Sequence, residues 1–223
     1  MGSTKRRKAQ LALRLKQRFG HGGKRKGAGR RRAAPMPRVG HRARARLGRN
    51  QPVHVTWRVL PHVWNLRSRR AFRALLRTFR PAVERFGTRL THFSVQRNHL
   101  HLIVEADGAP ALSAAMQGLG IRIAKGLNRM MGRSGKVFAD RFRARPLRTP
   151  TDARIAIAYV LGNARIHAER QGRAPSAAPD RFAASPAQLF AATPWWRTID
   201  DDRPPIAAPT SWLLRVGWMR GRP

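Results

Sequence analysis

From Val53 onward the spacing of apolar residues changes in a fixed order, and that order limits the folds open to the chain. In Val53-His54-Val55-Thr56-Trp57-Arg58-Val59 the apolar residues alternate, as on a half-buried strand. Ser68 then suits an N-cap for a helix burying Phe72, Leu75, Leu76, Phe79, Val83 and Phe86. Pro81 falls inside that pattern and should kink or split it. Leu90 to Gln96 reads as a second strand, and Asn98 suits a tight connection to a third, His99 to Glu105. On the third strand Leu100, Leu102 and Val104 face one side; His99, His101, Ile103 and Glu105 face the other. Asp107-Gly108 breaks the chain, and a helix from about Pro110 to Met131 follows, with Leu112, Met116, Leu119, Ile123, Leu127 and Met130 on one stripe. Val137 to Leu147 is extended, with a fourth strand towards its end. Strand, helix, strand, strand, helix, strand is the ferredoxin-like βαββαβ pattern of the α+β class. It predicts an antiparallel sheet with helices on one face and the other face free for a ligand. One more helix is added to the pattern. Thr149-Pro150-Thr151-Asp152 is its start signal and Gly172 its stop.

The chain of 223 residues exceeds one such domain, and the excess lies at its ends. Residues 1–50 contain no acid and carry Lys5-Arg6-Arg7-Lys8, Lys24-Arg25-Lys26 and Arg30-Arg31-Arg32. Such a block repels itself, so 1–50 is expected to be a largely disordered basic arm, with at most a short helix around Gln10 to Phe19. The folded domain then spans 51–172. Residues 173–223 are rich in Ala and Pro but keep Phe182, Leu189, Phe190, Trp195, Trp196, Trp212, Leu213, Leu214 and Trp218, so this extension is expected to pack on the core.

Lys and Arg number 47 against 10 Asp and Glu, a net charge of +37. An excess of that size points to a phosphate polyanion as partner, because Lys and Arg release condensed counterions on binding nucleic acid. With no cysteine there is no disulfide, thiolate zinc site or cysteine nucleophile. The chain shows no long apolar span and no secretory leader pattern, so the expectation is a soluble cytoplasmic, nucleoid-associated protein that uses no membrane.

The chemistry concentrates in two places. His99 and His101, two apart on a strand, point the same way, and Tyr159 and Asn163, four apart on a helix, share a face. Each alone has an ordinary reading: His-x-His is common on strands, and a helical Tyr is usually core. Brought together, they would hold a divalent metal on His99, His101 and Asn163 with a phenolic nucleophile alongside. Imidazole and amide oxygen suit Mg²⁺ or Mn²⁺ acting on phosphate, with imidazole shifting the balance towards Mn²⁺. The free phenol is protonated at neutral pH, so Tyr159 would rely on the metal and nearby arginines. Arg58, Arg97, Arg141, Arg143 and Arg145, with Lys24, Arg25, Lys26, Arg30, Arg31 and Arg32 of the arm, are the expected DNA contacts. His54 on the ligand face of the first strand and His167, one turn beyond Asn163, are lesser candidates.

Gln96-Arg97-Asn98-His99-Leu100-His101-Leu102-Ile103-Val104 resembles the Pro-Asn-His-Val-His-Leu segment of REP-associated tyrosine transposases. These are single-tyrosine, insertion-sequence-200-like transposases of the HUH endonuclease superfamily. Lys136-Val137-Phe138-Ala139-Asp140-Arg141-Phe142 is similar to their Leu-Trp-Gln-x-x-Phe element, and Ala158-Tyr159-Val160-Leu161-Gly162-Asn163-Ala164-Arg165 to their Tyr-x-x-x-Asn-Pro-x-Arg helix. Ala164 stands where proline is usual, and Gln96-Arg97 where Met-Pro is common; neither change removes a chemical group. The resemblance spans about Val53 to Gln171. It implies a transposase: a metal-dependent enzyme that nicks and rejoins single-stranded or hairpin repeat DNA and needs no small-molecule cofactor, acting as a monomer or homodimer. His99 and His101 would be metal ligands, Asn163 the third ligand and Tyr159 the nucleophile, attached to the 5′ phosphate of the cut strand. The alternatives are a domesticated protein that binds repeats without cutting, or a DNA- or RNA-binding module of the same fold. The latter needs stacking aromatics on the central strands, and the third strand has none.

Overall fold

The computed structural model describes residues 47–85, 87–170, 172, 174, 180–186 and 205–220; of Ala164, His167 and Arg170 it describes the backbone only. The helix expected near Gln10 to Phe19, the basic clusters of the arm, Phe86, Leu189, Phe190, Trp195, Trp196 and the side chain of His167 lie outside the described residues. The elements are β1 (Gln51–Arg58), α1 (Arg69–Phe79), β2 (Glu84–Arg85), β3 (Thr88–Val95), β4 (His99–Ala106), α2 (Ala109–Met131), β5 (Arg143–Pro146), α3 (Pro150–Arg170) and β6 (Ala183–Ala184). A π-helical turn, Leu213–Gly217, runs into α4 (Trp218–Arg220). The strands lie in the order β2-β3-β4-β1-β5, with β6 paired to β3, and every pair is antiparallel. Without the two-residue strands β2 and β6, this is the ferredoxin-like arrangement: β1 comes first in the sequence and lies inside the sheet, between β4 and β5.

One face of the sheet carries the larger core. Val53, Val55 and Trp57 of β1, Leu100, Leu102 and Val104 of β4, and Phe93 and Val95 of β3 pack against Phe72, Leu75 and Phe79 of α1 and the Leu112–Met116–Leu119–Ile123–Leu127 stripe of α2. Each such side chain contributes roughly 1.5–3 kcal/mol by leaving water. Gly120 lets α2 approach closely: a Cβ there would run into the Trp57 ring. The other side of Trp57 is stacked by Phe138 at 3.8 Å between ring centroids, and its Nε1–H donates to the Asp140 carbonyl at 3.0 Å. The Lys136–Phe142 segment is thus a structural brace on β1 in this chain.

Helix α1 is shorter than its apolar pattern. Ser68 caps it as expected, accepting from the Ala71 N–H at 3.3 Å. It ends at Phe79 and gives way to a 3₁₀ turn, Arg80–Ala82, because Pro81 has no N–H to continue the helix. Val83 is therefore not helical; its carbonyl accepts from Leu90 N–H at 2.8 Å and turns the chain into the sheet.

The second face of the sheet is not free. Helix α3 lies on it, burying Ala153, Ala156, Ile157 and Val160 with Ile103 of β4, Leu147 and Leu214. The prediction of an open face fails because its partners come from later in the chain. Thr149 and Asp152 form a reciprocal cap: Asp152 N–H donates to Thr149 Oγ1 at 3.0 Å, and Thr149 N–H to Asp152 Oδ2 at 3.3 Å. Gly172, at φ +66°, follows the end of the helix.

Two later segments return to the sheet, Phe182 to the larger core and Leu214 to the one under α3. Arg67 clasps Asp180 with two hydrogen bonds of 2.8 Å and lies 4.2 Å over the Phe182 ring, which meets Phe72 edge-on at 4.8 Å. Glu105 on β4, 1 % exposed, accepts from the Thr210 N–H (2.9 Å), the Thr210 hydroxyl (2.8 Å) and the Ser211 N–H (2.7 Å). Leu214 and Trp218 then pack on the α3 side. Among the described residues, no helix is long and apolar enough to cross a membrane.

Candidate active site

The register of β1 and β4 sets the site. Arg58 lies opposite His99, Thr56 opposite His101 and His54 opposite Ile103, so all six residues share the face under α3. On the other side of β1, Arg143 lies opposite Thr56 and Arg145 opposite His54. Across β4, Ser94 of β3 lies opposite His101.

Tyr159 reaches this face. Its ring stands edge-on to His101 at 5.1 Å between centroids and 6.0 Å from His54; the His99 and His101 rings are 4.8 Å apart. Nδ1 of His101 lies 3.2 Å from Nε2 of His54 and 3.3 Å from Oγ1 of Thr56. Nδ1 of His99 lies 2.9 Å from Oδ1 of Asn98. An amide oxygen only accepts, so with this amide orientation Nδ1 of His99 is the donor. Burial and the Arg145 charge lower the His54 imidazole to about 4, so it is neutral at physiological pH.

Asn163 extends the buried stripe of Ala153, Ala156, Ile157 and Val160, one turn beyond Tyr159. It is 0 % exposed, and neither Oδ1 nor Nδ2 has a hydrogen-bond partner among the described residues. A buried primary amide in that condition costs about 1–3 kcal/mol. Also among the described residues, no three His, Asp or Glu side chains group as a metal site. A metal held by His99 and His101 would thus need a third donor of another kind, and the Asn163 amide oxygen is of the right chemistry.

The arginines divide. Arg58, Arg143 and Arg145 line the site face at exposed positions, with Arg145 paired to Asp152 at 2.6 Å. Burial pushes the Asp152 carboxyl up, but the Arg148 and Thr149 amides, the Thr149 hydroxyl and the Arg145 charge outweigh it and hold the group below its ordinary value. Arg97 is exposed in the turn before His99, and Arg141 is exposed ahead of β5. Lys24, Arg25, Lys26, Arg30, Arg31 and Arg32 lie outside the described residues. Two residues gain weight from the fold: His54, a lesser candidate by sequence, and Thr56, which sequence reasoning passed over. The alternation of β1 put both on one face; only the pairing of Thr56 with His101 puts them in the site.

No protein-family model matches the chain, and no curated protein matches it. Several solved structures are similar to it, two of them as follows. One is a REP-associated tyrosine transposase bound to a REP hairpin, at TM-score 0.48 and 15 % identity, covering 58 % of this chain and 74 % of that one. The other is a protein of Deinococcus radiodurans R1 provisionally named a transposase, at TM-score 0.35 and 14 % identity, covering 63 % of this chain and 100 % of that one.

Proposed function

We propose that the chain is a transposase-type DNA endonuclease and strand transferase that uses Tyr159 as nucleophile on single-stranded or hairpin DNA. The observation that carries this reading is Tyr159 standing edge-on to His101 of its own chain, on the helix that buries the unsatisfied Asn163 amide. The donor set fits a divalent ion on His99, His101 and Asn163, and Mn²⁺ or Mg²⁺ bound there would polarise the scissile phosphate. In the step itself the Tyr159 oxygen attacks phosphorus and loses its proton. A bond forms between phosphorus and the tyrosine oxygen, the bond to the 3′ oxygen breaks, and that oxygen leaves as a 3′ hydroxyl after taking a proton. Attack by a 3′ hydroxyl on the phosphotyrosine reverses the sequence and rejoins the strand. Arg58, Arg143 and Arg145 supply positive charge beside the phosphate, and neutral His54 and Thr56 hold Nδ1 of His101. Tyr159 and His101 meet within one chain, so this reading needs no second copy to bring those two side chains together.

The test is the full chain with Mn²⁺ and a labelled hairpin oligonucleotide bearing a single-stranded flank. Wild type should give an adduct that survives SDS, and Tyr159→Phe should give none while binding the same DNA. Asn163→Leu should weaken Mn²⁺ binding without lowering the thermal midpoint, because an apolar isostere removes an unsatisfied amide. An adduct in Tyr159→Phe would refute the nucleophile. Unchanged Mn²⁺ binding in Asn163→Leu would refute the third ligand.

A further inference from the structure

Trp64 is 48 % exposed in a segment that is otherwise held firmly. Its neighbours Val63 and Leu66 are 7 % and 0 % exposed. Val63 N–H donates to the Leu60 carbonyl, Leu66 N–H to the Arg97 carbonyl and Ser68 N–H to the Asn65 carbonyl, each at 3.0 Å. The Trp64 N–H itself points at Met131 Sδ, 3.5 Å away. The indole is therefore presented by fixed backbone.

Single exposed aromatics are ordinary on protein surfaces, but two further observations give this one a direction. The first is position. The segment leaves β1 after Arg58, opposite His99, and its Leu66 N–H closes on Arg97, two residues before His99. It flanks the end of the sheet where the paired histidines begin. The second is charge. The chain contains no acidic residue before Glu84. Arg58, Arg69, Arg70 and Arg97 are all exposed around the segment, and the Arg70 guanidinium lies 5.8 Å over the Trp64 ring. An exposed aromatic plane with a guanidinium beside it and further exposed arginines on its flanking residues has the chemistry that takes a nucleobase while neutralising the phosphates on either side.

We infer that Trp64 is a stacking platform for one unpaired base of a single-stranded DNA segment leading to the site at His99 and His101. Arg69 and Arg70 take that segment's phosphates. The inference rests on the nuclease reading above and adds where the flank of the substrate runs.

Binding is measured by fluorescence anisotropy with full-length protein and two labelled probes, a blunt DNA hairpin and the same hairpin with a single-stranded flank, over a series of salt concentrations. Trp64→Ala should weaken binding of the flanked probe roughly tenfold or more, the scale of one lost base stack. It should leave the blunt hairpin and the salt slope unchanged, since no phosphate contact is removed. Trp64→Phe should recover most of the loss. Replacing the flank bases by abasic sites should weaken wild type and leave Trp64→Ala unaffected. Equal binding of the flanked probe by wild type and Trp64→Ala overturns the platform, and so does equal weakening on both probes. Failure of wild type to bind either probe overturns the nuclease reading itself, and the platform with it.

Discussion

His92 and His54 stand on the sheet face under α3, and burial keeps both imidazoles neutral. His92 is lowered by burial from 6.5 to about 3, with its Nδ1 2.9 Å from the Thr91 hydroxyl; His54 is lowered to about 4. In the unfolded chain each titrates near 6.5, so below that pH the unfolded state binds the extra proton and the fold does not. Their contribution is complete above pH 6.5 and is lost as pH falls, over the window from 6.5 to about 3 for His92. Each such group gives a slope on the order of 1 kcal/mol per pH unit. Urea melts at a series of pH values should show that slope in wild type and a shallower one in His92→Gln. Identical slopes would mean that His92 is protonated in the fold.

At the level of elements, the junction between β4 and the C-terminal segment hangs on Glu105. A buried carboxylate that accepts from Thr210 and Ser211 at both oxygens makes charge-assisted bonds, and an amide puts an NH2 donor in place of one of those acceptors. Glu105→Gln should loosen residues 205–220 from α3 at a cost of about 1–3 kcal/mol. Hydrogen exchange should then rise in that segment and in α3 before it rises in β1. Exchange unchanged at Leu214 would show that apolar packing alone holds the segment. This contact also marks where sequence reading stops. Helix α3 was marked by the signals at its two ends, and the periodicity of β1 and α2 was plain because each lays one apolar stripe on the core. The end of α1 was not, since Val83 keeps the apolar spacing while Pro81 denies it the backbone bond. Glu105 read as a residue of an open face because its partners follow it by a hundred-odd positions. Tyr159, Asn163 and the histidine pair were legible from spacing within single elements; His54 and Thr56 needed the register between two.

For the molecule as a whole, a charge of +37 sets a balance between self-repulsion and contacts. Added salt screens repulsion among exposed charges and acts little on buried pairs such as Arg67–Asp180, whose acid is only 6 % exposed. The thermal midpoint should therefore rise as monovalent salt is increased from low ionic strength. A falling midpoint would show that surface attractions such as Arg145–Asp152 outweigh the repulsion.

The inner position of β1 has a consequence for the order of manufacture. A chain emerging from its N-terminal end makes β1 first, yet that strand must wait for β4 before it gains a neighbour, and for β5 before it is enclosed. Both histidines of β4 precede Tyr159 along the chain, and α3 precedes the Thr210 and Ser211 that fasten the segment beside it. On the chemistry proposed, a nascent chain gains its means of gripping an ion and a phosphate early and its means of cutting late. On that reading, Tyr159 joins the sheet after both histidines.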